Sequence, residues 1–324
     1  MENLREIQSR VDISVVVCTY NRAAMLRDTL RSWAGVDQGN WRAELVLVDN
    51  NSTDRTKGVV QESQKGLEKP LRYAFEARPG LSFARNKGIE AACGKIIAFV
   101  DDDIYFREDW LKEMVSTFEC DPEIDCVGGN SIPVFEAPRP DWLTDHFAML
   151  YGSTLSGDDE KRMIFPEHPF GVNMAFRREV FERVGCFNTR LGRIQNSLLS
   201  NEEKELFYRI DRAGMRTHYS PNAVVYHRVP EDRMNQQWIL RRVFWQGISK
   251  IAFNQLVSKR SKRDLLEDAM RNGIRAIFGQ RPYSASKNIL FYRGFEFREK
   301  IKTALSLGIA RQSLAEAINF NLAN

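Results

Sequence analysis

Short apolar runs alternate with helix-like stretches over the first 130 residues. Four such runs predict strands: ISVVVC (13–18), ELVLVD (44–49), LRYAF (71–75) and KIIAFV (95–100). Apolar residues at helical spacing, or N-capping residues before a polar stretch, predict helices between them. Strands separated in this way by helix and loop are typical of βαβ units. The pattern therefore predicts an α/β fold with a mostly parallel sheet.

The pattern changes between residues 130 and 170, where proline, glycine and aromatic residues predict loops with little regular structure. Regular structure is expected again at VNMAFRREVFERVG (172–185), NEEKELFYRIDRAG (201–214) and NAVVYH (222–227). Beyond about residue 235 the periodicity predicts helices near 236–257, 262–278 and 286–318. The chain is therefore expected to continue from the α/β part into a helical extension.

Composition is that of a globular protein, with 43% hydrophobic and 28% charged residues. No run of about 18 apolar residues predicts a transmembrane helix. The charged N-terminal stretch MENLREIQSRVD lacks the apolar region of a secretory signal. The five cysteines are scattered without a C-x-x-C pair, which argues against a disulfide framework or a structural zinc site. We expect a cytoplasmic protein.

Charge is distributed unevenly along the chain. Residues 240–324 contain 16 Lys and Arg against 6 Asp and Glu, whereas the preceding part is net acidic. A basic tail suggests an anionic partner, either a membrane surface or a nucleic acid, and a solvated basic helix face explains it equally well. The stretch 241–260 mixes aromatic and basic residues, as interfacial helices do. Peripheral contact with the inner face of the membrane, an oligomer contact and core packing all remain open for 236–324.

Three consecutive carboxylates, Asp101, Asp102 and Asp103, follow the fourth predicted strand. Ligands of open α/β sheets bind beyond the carboxyl ends of the strands. Clustered carboxylates repel one another unless a cation is present, and oxygen ligands suit Mg²⁺ or Mn²⁺. The sequence therefore predicts a divalent metal site here. A solvated loop that caps the next helix is the alternative.

Polar residues also follow the first and second predicted strands. Thr19, Tyr20, Asn21 and Arg22 offer a hydroxyl, an aromatic face, an amide and a guanidinium at one strand end. Asp49 closes the second strand and is followed by NNSTD (50–54), which either contacts a base or ribose or serves only as a helix N-cap. The positive charge of Arg85, upstream of the aspartates, would suit a diphosphate.

Two further features carry candidate chemistry. Glu202 and Glu203 begin a predicted amphipathic helix, where the helix dipole favours carboxylates and where a carboxylate beside a cleft can act as a general base. His227 ends the strand NAVVYH and is either structural or a metal ligand.

Several known motifs are absent. No G-x-G-x-x-G follows the first strand, and GIEAACGK (88–95) has the wrong spacing and context for a phosphate-binding loop. A sugar-nucleotide nucleotidyltransferase would carry a glycine-rich loop after the first strand, but CTYNRAAM contains no glycine. A non-catalytic protein that has the same α/β fold and binds a sugar or nucleotide is a second alternative to an enzyme.

Together the motifs resemble glycosyltransferase family 2, the inverting nucleotide-sugar transferases with the GT-A fold. The resemblance spans about residues 12–230. It rests on six motifs in the family's order: VDISVVVCTYNR (11–22), ELVLVDNNSTDRT (44–56), GLSFARNKGIEAACGKIIAFVDDD (80–103), GVNMAFRREVFERVGCFN (171–188), NEEKELFYRI (201–210) and AVVYH (223–227).

The resemblance implies a catalytic domain over residues 1–235, with a nucleotide-sugar half (about 12–128) and an acceptor half (about 129–235), followed by a basic helical extension (236–324). It implies a nucleotide-sugar donor, a saccharide or lipid-linked acceptor, a Mn²⁺ or Mg²⁺ cofactor and no nucleic acid partner. The donor-binding residues would be Thr19, Tyr20, Arg22, Asp49, Asn51, Arg85, Asp101 and Asp102.

The remaining roles follow in the same way. Asp103 and His227 would hold the metal, Glu203 would be the catalytic base with Glu202 as the alternative, and Gly171, Asn173 and Trp142 would border the acceptor. Two positions depart from the family pattern. The acidic pair of the family usually ends in Asp, so a longer Glu203 must be set back, and Cys18 stands where many relatives have proline.

Overall fold

The computed structural model describes residues 11–154, 156–278 and 289–319. The chain forms two compact units. The sheet unit contains the chain up to Glu136 together with Asp145–Thr189 and Glu202–Val229, and the helical unit contains Ala137–Thr144, Arg190–Asn201 and the chain from Pro230 onward. The predicted domain limits at 128 and 235 stay predictions.

All described strands lie in the sheet unit. They are β1 (Ile13–Thr19), β2 (Ala43–Asp49), β3 (Leu71–Phe75), β4 (Ile96–Asp101), β5 (Ile104–Phe106), β6 (Ile124–Phe135), β7 (Lys161–Met163), β8 (Asn173–Arg177) and β9 (Arg216–Val229). The α-helices of this unit are α1 (Ala23–Ala34), α2 (Thr56–Gly66), α3 (Leu81–Ala91), α4 (Trp110–Cys120), α5 (Arg178–Val184) and α6 (Glu202–Arg212), and a 3₁₀ helix spans Asp145–Tyr151. The four N-terminal strands and their helices are confirmed close to the predicted positions.

The strands form one sheet in the order β3-β2-β1-β4-β8-β6-β9-β5, and β7 pairs with Thr217–Tyr219 of β9. Strands β3, β2, β1 and β4 pair in parallel, and so do β6 and β9. Strand β8 joins these two groups because it is antiparallel to both β4 and β6. The α/β class is confirmed, and the purely parallel part is the N-terminal half of the sheet.

The sheet is buried on both faces. Val15 and Val17 of β1 face a core that includes Trp33 and Trp110. Val16, one residue on, faces a second core. Successive side chains of a strand point to opposite faces, so a strand that is covered twice must be apolar throughout. This explains why the apolar runs were visible in the sequence.

Strands β6 and β9 are longer than the sequence predicted. They pair over eleven positions, from Ile124 and Arg216 to Phe135 and Val229. A Cβ at Gly128 would collide with Pro169, and a Cβ at Gly129 would collide with the Asn173 side chain. The glycines therefore permit close packing within a continuous strand. The expectation of loops with little regular structure over 130–170 was wrong for residues 130–135, which continue β6, and this range also contains the short 3₁₀ helix and β7.

The helical unit contains α7 (Gln236–Ser258), α8 (Lys262–Phe278) and α9 (Ile289–Asn319), as predicted, although residues 286–288 lie outside the described part. Helices α7 and α9 touch backbone to backbone at Gly247 and Gly308, where any side chain would collide with the facing helix. No helix in the described ranges is long and apolar enough to cross a membrane. All five cysteines are free thiols.

Candidate active site

The carboxyl ends of three parallel strands meet at one edge of the sheet. Thr19 at the end of β1 is in register with Asp49 at the end of β2, and Cys18 is in register with Asp101 at the end of β4. Parallel pairing therefore brings together the polar residues that follow separate apolar runs in the sequence. Tyr20, which follows Thr19, is 39% exposed. Burial raises the pKa of the Cys18 thiol to about 12, so this residue stays neutral.

Asp102 is held inside the protein by the first strand and the residue that precedes α1. The Thr19 hydroxyl donates to Asp102 Oδ2 at 2.7 Å, and Arg22 Nη1 donates to Asp102 Oδ1 at 2.8 Å. The same Arg22 nitrogen donates to Asp103 Oδ2 at 2.7 Å. Burial raises the pKa of Asp102, while Arg22 and Thr19 oppose this effect. Arg22 thus bridges two of the three aspartates.

Asp101, Asp103 and His227 form a cluster that fits a metal ion. One possible ligand atom from each residue lies within 4.8 Å of the others. His227 reaches the aspartates because β9 pairs with β5, which follows them in the chain. Two carboxylates and an imidazole form a donor set suited to Mn²⁺, with carboxylates alone preferred by Mg²⁺.

The His227 ring is fixed in orientation. Its Nδ1 lies 2.6 Å from the Tyr151 carbonyl oxygen and its Nε2 lies 3.2 Å from Asp103 Oδ1. Burial disfavours the charged imidazole, but Asp103 and Asp101 raise the pKa of His227 above its ordinary value overall. The carbonyl contact requires a proton on Nδ1, which leaves Nε2 as the nitrogen that can face a metal.

Asp49 and Asn50, at the end of β2, are each held by several hydrogen bonds. The Tyr73 hydroxyl donates to Asp49 Oδ2 at 2.9 Å, and the Ser52 amide donates to Asp49 Oδ1 at 2.8 Å. The Asn50 side chain donates to the carbonyls of Glu76 and Arg78 and accepts from the Gly80 amide. The sequence did not point to Tyr73, because a tyrosine within a strand has no local signature of a partner on the next strand.

The loops after β1 and β2 are joined by hydrogen bonds of Asn21. Asn21 and Asn51 adopt positive φ angles of 53° and 64°. Asn21 Oδ1 accepts the Thr53 amide at 2.7 Å, and the Asn21 amide donates to Ser52 Oγ at 3.0 Å. Asp54 accepts the amides of Ala23 and Thr56, at the starts of α1 and α2. Asp54 thus accepts an amide at the start of α2 from the position before the N-cap residue Arg55. A contact of the segment 50–54 with a base or ribose stays a prediction.

Arg85 from α3 is buried between Asp101 and the start of α6. Its Nη1 lies 2.8 Å from Glu202 Oε1, and its Nη2 lies 3.8 Å from Asp101 Oδ1 and 3.3 Å from the Gly171 carbonyl. Glu202 is thus committed to an ion pair. The Oε2 atom of its neighbour Glu203 is buried and has no hydrogen-bond partner among the described residues.

The three residues predicted to border the acceptor have different surroundings. A Cβ at Gly171 would overlap the Arg85 guanidinium, so a larger residue there would have to displace it. The Asn173 amide is fully engaged, because it donates to the carbonyls of Asn130 and Ala223 and accepts from the Trp110 indole. Trp142 belongs to the helical unit, where its ring packs against Phe297 with 5.5 Å between the centroids. Their acceptor roles stay predictions.

Comparisons with known proteins place this chain in a family. The profile of Glycosyl transferase family 2 matches residues 14–185. The glucosyl-dolichyl phosphate glucuronosyltransferase of Haloferax volcanii is 32% identical over 264 residues, which are 80% of this chain and 83% of that protein. The succinoglycan biosynthesis protein ExoM of Rhizobium meliloti is 26% identical over 241 residues, or 72% of each chain.

The fold has relatives among solved structures. A mannosyltransferase from Pyrobaculum calidifontis, in complex with GDP-Man and Mn²⁺, superposes with a TM-score of 0.61 at 22% identity and covers 95% of this chain and 88% of its own. This likeness shows a GT-A fold. The family profile covers more than half of the chain, and a relative above 30% identity covers most of it. The chain therefore belongs to glycosyl transferase family 2 and is a glycosyltransferase of glycoconjugate or polysaccharide biosynthesis.

Proposed function

We propose that the chain transfers a sugar from a nucleoside diphosphate sugar to an acceptor hydroxyl in a single displacement that inverts the anomeric carbon. One observation carries this proposal: the buried Arg85 contacts both Asp101 of the carboxylate–imidazole cluster and Glu202 at the acidic start of α6. Both groups belong to the sheet unit. The cluster suits the diphosphate side of the reaction, and the acidic helix start suits the acceptor side.

Glu203 is the proposed general base. It removes the proton from the acceptor hydroxyl while the oxygen attacks the anomeric carbon from the face opposite the leaving nucleotide. Glu202 is less suited to this role because its carboxylate is 2.8 Å from Arg85 and is buried with it. No covalent intermediate with the enzyme is needed.

Asp101, Asp103 and His227 are the residues proposed to hold a divalent metal, Mn²⁺ or Mg²⁺. When bound, the metal supplies positive charge that stabilises the departing diphosphate. Arg22 holds Asp102 and one oxygen of Asp103, which orients the second Asp103 oxygen towards His227. His227 presents Nε2 because its Nδ1 contacts the Tyr151 carbonyl.

The donor nucleotide is proposed to lie against Thr19, Tyr20, Asp49 and Asn51 at the edge of the sheet. Asp49 is fixed by Tyr73 and Ser52, so it accepts a hydrogen bond in one defined direction. The relative from Haloferax volcanii is named for a glucuronosyl transfer to glucosyl-dolichyl phosphate. We therefore propose a lipid-linked saccharide acceptor, and UDP-glucuronate is the first donor to test.

Nucleotide binding is expected to stabilise the protein only in the presence of metal. UDP, GDP, dTDP and CMP are added separately, each with Mn²⁺ or with EDTA, and the melting temperature is measured. A ligand at about 100 times its Kd adds roughly 2.7 kcal/mol of stability. One nucleotide with a shift that EDTA abolishes supports the proposal. Shifts that are equal with Mn²⁺ and EDTA contradict the role of the metal in donor binding.

Membrane contact through the helical unit is a second part of the proposal. Each of α8 and α9 exposes a face in which apolar side chains recur at helical spacing. These exposed residues are Leu266, Met270 and Ile274 on α8, and Leu307, Leu314 and Ile318 on α9. The exposed Lys300 and Arg311 lie on the same face of α9. Apolar and basic residues on one face suit an anionic lipid surface, where a lipid-linked acceptor would be found.

The double substitution Met270→Glu and Ile274→Glu is expected to lower binding to anionic vesicles at least about tenfold, because it removes apolar burial and adds repulsion. Co-flotation with phosphatidylglycerol vesicles and with neutral phosphatidylcholine vesicles measures the effect. Ile164→Glu, at an equally exposed position of the sheet unit, is the control and should bind as the wild type does. Equal binding by the double variant contradicts this role. A dimer that only the double variant loses indicates an oligomer contact instead.

A further inference from the structure

The residues that lead into α6 form a buried segment without regular secondary structure. We call residues 196–201 the entry segment; they belong to the helical unit, and the peptide bond between Asn201 and Glu202 joins them to the first turn of α6. Ser200 and Asn201 are only 8% and 7% exposed. The φ angle of Asn201 is 75°, in the left-handed region. A buried backbone of this kind needs hydrogen-bond partners, and helix α7 supplies them.

Ser249 of α7 is the central partner of the entry segment. Its side chain is fully buried. Ser249 Oγ accepts the Ser200 amide at 3.0 Å and the Ser200 hydroxyl at 3.3 Å. The Ser249 hydroxyl itself donates to the Trp245 carbonyl within α7 at 2.8 Å, so its oxygen remains available as an acceptor. One hydroxyl of α7 therefore satisfies a buried backbone amide two residues before α6 begins.

Two further side chains of α7 contact the same segment. Arg242 Nη1 donates to the Leu198 carbonyl at 3.1 Å and to Ser200 Oγ at 3.4 Å. Gln246 Nε2 lies 3.5 Å from Asn201 Oδ1. In sequence Gln246 is four positions after Arg242 and three positions before the central serine, a spacing that places all three on one face of α7. A single helix face thus contacts the entry segment at three of its residues.

Helix α7 is itself fixed next to these contacts. Gly247 lies between Gln246 and Ser249 in the sequence, and it touches α9 at Gly308. A Cβ on either glycine would collide with the backbone of the facing helix. Because the two helix backbones are in direct contact there, α7 has little freedom to follow the entry segment if that segment moves.

The first turn of α6 depends on what precedes it. The ends of a helix fray most readily, because the first amides have no partner within the helix. Glu202 is held by Arg85 at 2.8 Å. Glu203 Oε2 accepts no hydrogen bond from the described residues, so the backbone of this turn is what fixes the Glu203 carboxylate.

We propose that Ser249 and Arg242 of α7 are positioning residues, which hold the entry segment and thereby the first turn of α6 that carries Glu203. This inference rests on the proposed function, because it takes Glu203 as the base. The helical extension then contributes to sugar transfer directly, by keeping the proton acceptor in place, in addition to any contact with a membrane.

The substitution Ser249→Ala is expected to loosen the first turn of α6. The Ser200 amide loses its buried acceptor. The amides of Leu206 and Phe207 close the first turn of a helix that begins at Glu202, and they should exchange with solvent at least about tenfold faster. The kcat should fall at least about tenfold, because a displaced base transfers the proton poorly. The KM for the nucleotide sugar should change less than about twofold, since the proposed donor residues lie outside α6.

Amide hydrogen exchange is measured by NMR without substrate, and UDP release from UDP-glucuronate with glucosyl-phosphoryl-polyprenol gives kcat and KM. The matched control is Ser258→Ala at the end of the same helix. The Ser258 hydroxyl also donates to a carbonyl four residues earlier, that of Asn254, at 2.7 Å, but Ser258 is exposed. In the described structure it makes no hydrogen bond to the entry segment. The control should match the wild type in exchange, kcat and KM.

Faster exchange and a lower kcat in Ser249→Ala, with both unchanged in Ser258→Ala, support the inference. Wild-type exchange at Leu206 and Phe207 overturns it, and so does a wild-type kcat despite faster exchange. If Ser249→Ala does not fold, Arg242→Met takes its place and should show the same pattern. Arg242→Lys, which keeps a charged donor, should then show a smaller effect than Arg242→Met.

Failure of the proposed function is a separate result. Wild-type turnover in Glu203→Gln would contradict the proposed base. The exchange rates require no substrate, so they test the hold on the entry segment whichever carboxylate is the base and whichever donor is used. Unchanged exchange in Ser249→Ala therefore overturns the inference independently of turnover.

Discussion

The substitution Asp103→Asn is expected to abolish tight Mn²⁺ binding and to lower sugar transfer by about 10²- to 10³-fold. Asp103 is the aspartate that contacts both Arg22 and His227, with Oδ2 at 2.7 Å from Arg22 and Oδ1 at 3.2 Å from His227. An asparagine removes the negative charge that a divalent cation requires. The fold should survive, because Arg22 keeps its contact with Asp102.

Calorimetric titration with Mn²⁺, together with the rate of UDP release, measures this prediction. Asp211→Asn, at an exposed position of α6 and outside the cluster, is the control and should bind Mn²⁺ as the wild type does. If Asp103→Asn retains wild-type affinity for Mn²⁺, the metal is held elsewhere and the proposed cluster is wrong.

The second large effect is expected for Glu203→Gln, which should lower kcat by about 10²- to 10⁴-fold with little change in donor affinity. Glutamine keeps the size of the side chain but cannot take up the acceptor proton. The residues proposed to hold the metal and the nucleotide lie outside α6. The metal-dependent thermal shift with the nucleotide should therefore persist. Separate measurement of kcat and of the shift distinguishes a lost base from a lost donor site.

The control for this prediction is Glu205→Gln on the same helix, which should retain turnover. Turnover close to the wild type in Glu203→Gln would remove Glu203 from the mechanism and direct attention to Glu202. Loss of the thermal shift along with turnover would indicate that Glu203 supports the donor site instead.

Much of the fold was predictable because the central strands are covered on both faces. Val15, Val16 and Val17 are all buried, so the run around them is apolar without interruption and stands out in the sequence. The full lengths of β6 and β9 were not predictable in this way. The sequence predicted only residues 222–227 of β9, and it predicted loops for residues 130–135 of β6; the pairing of the two strands extends both. Pairing between distant segments leaves little local trace.

For the candidate site, too, some features were predictable from the sequence and others were not. The residues at the ends of β1, β2 and β4 were predicted to converge, because parallel strands align their carboxyl ends. The Arg85–Glu202 ion pair joins residues 117 positions apart and depends on how α3 and α6 pack on the sheet. The contact between the Tyr151 carbonyl and His227 is also long-range, and a backbone acceptor has no sequence signature. Residue types were therefore predictable, whereas their partners were not.

The hydrogen bonds of Asn21 between the loops after β1 and β2 bear on the kinetics of association. Asn21 and Asn51 hold left-handed backbone conformations, which asparagine tolerates better than most residues. Asn21 also bonds the neighbouring loop, so the conformational entropy of this edge is lost when the chain folds and not when a ligand arrives. For the donor nucleotide proposed to bind at this edge, we therefore expect a preorganised surface and an association rate set by diffusion and charge rather than by loop closure.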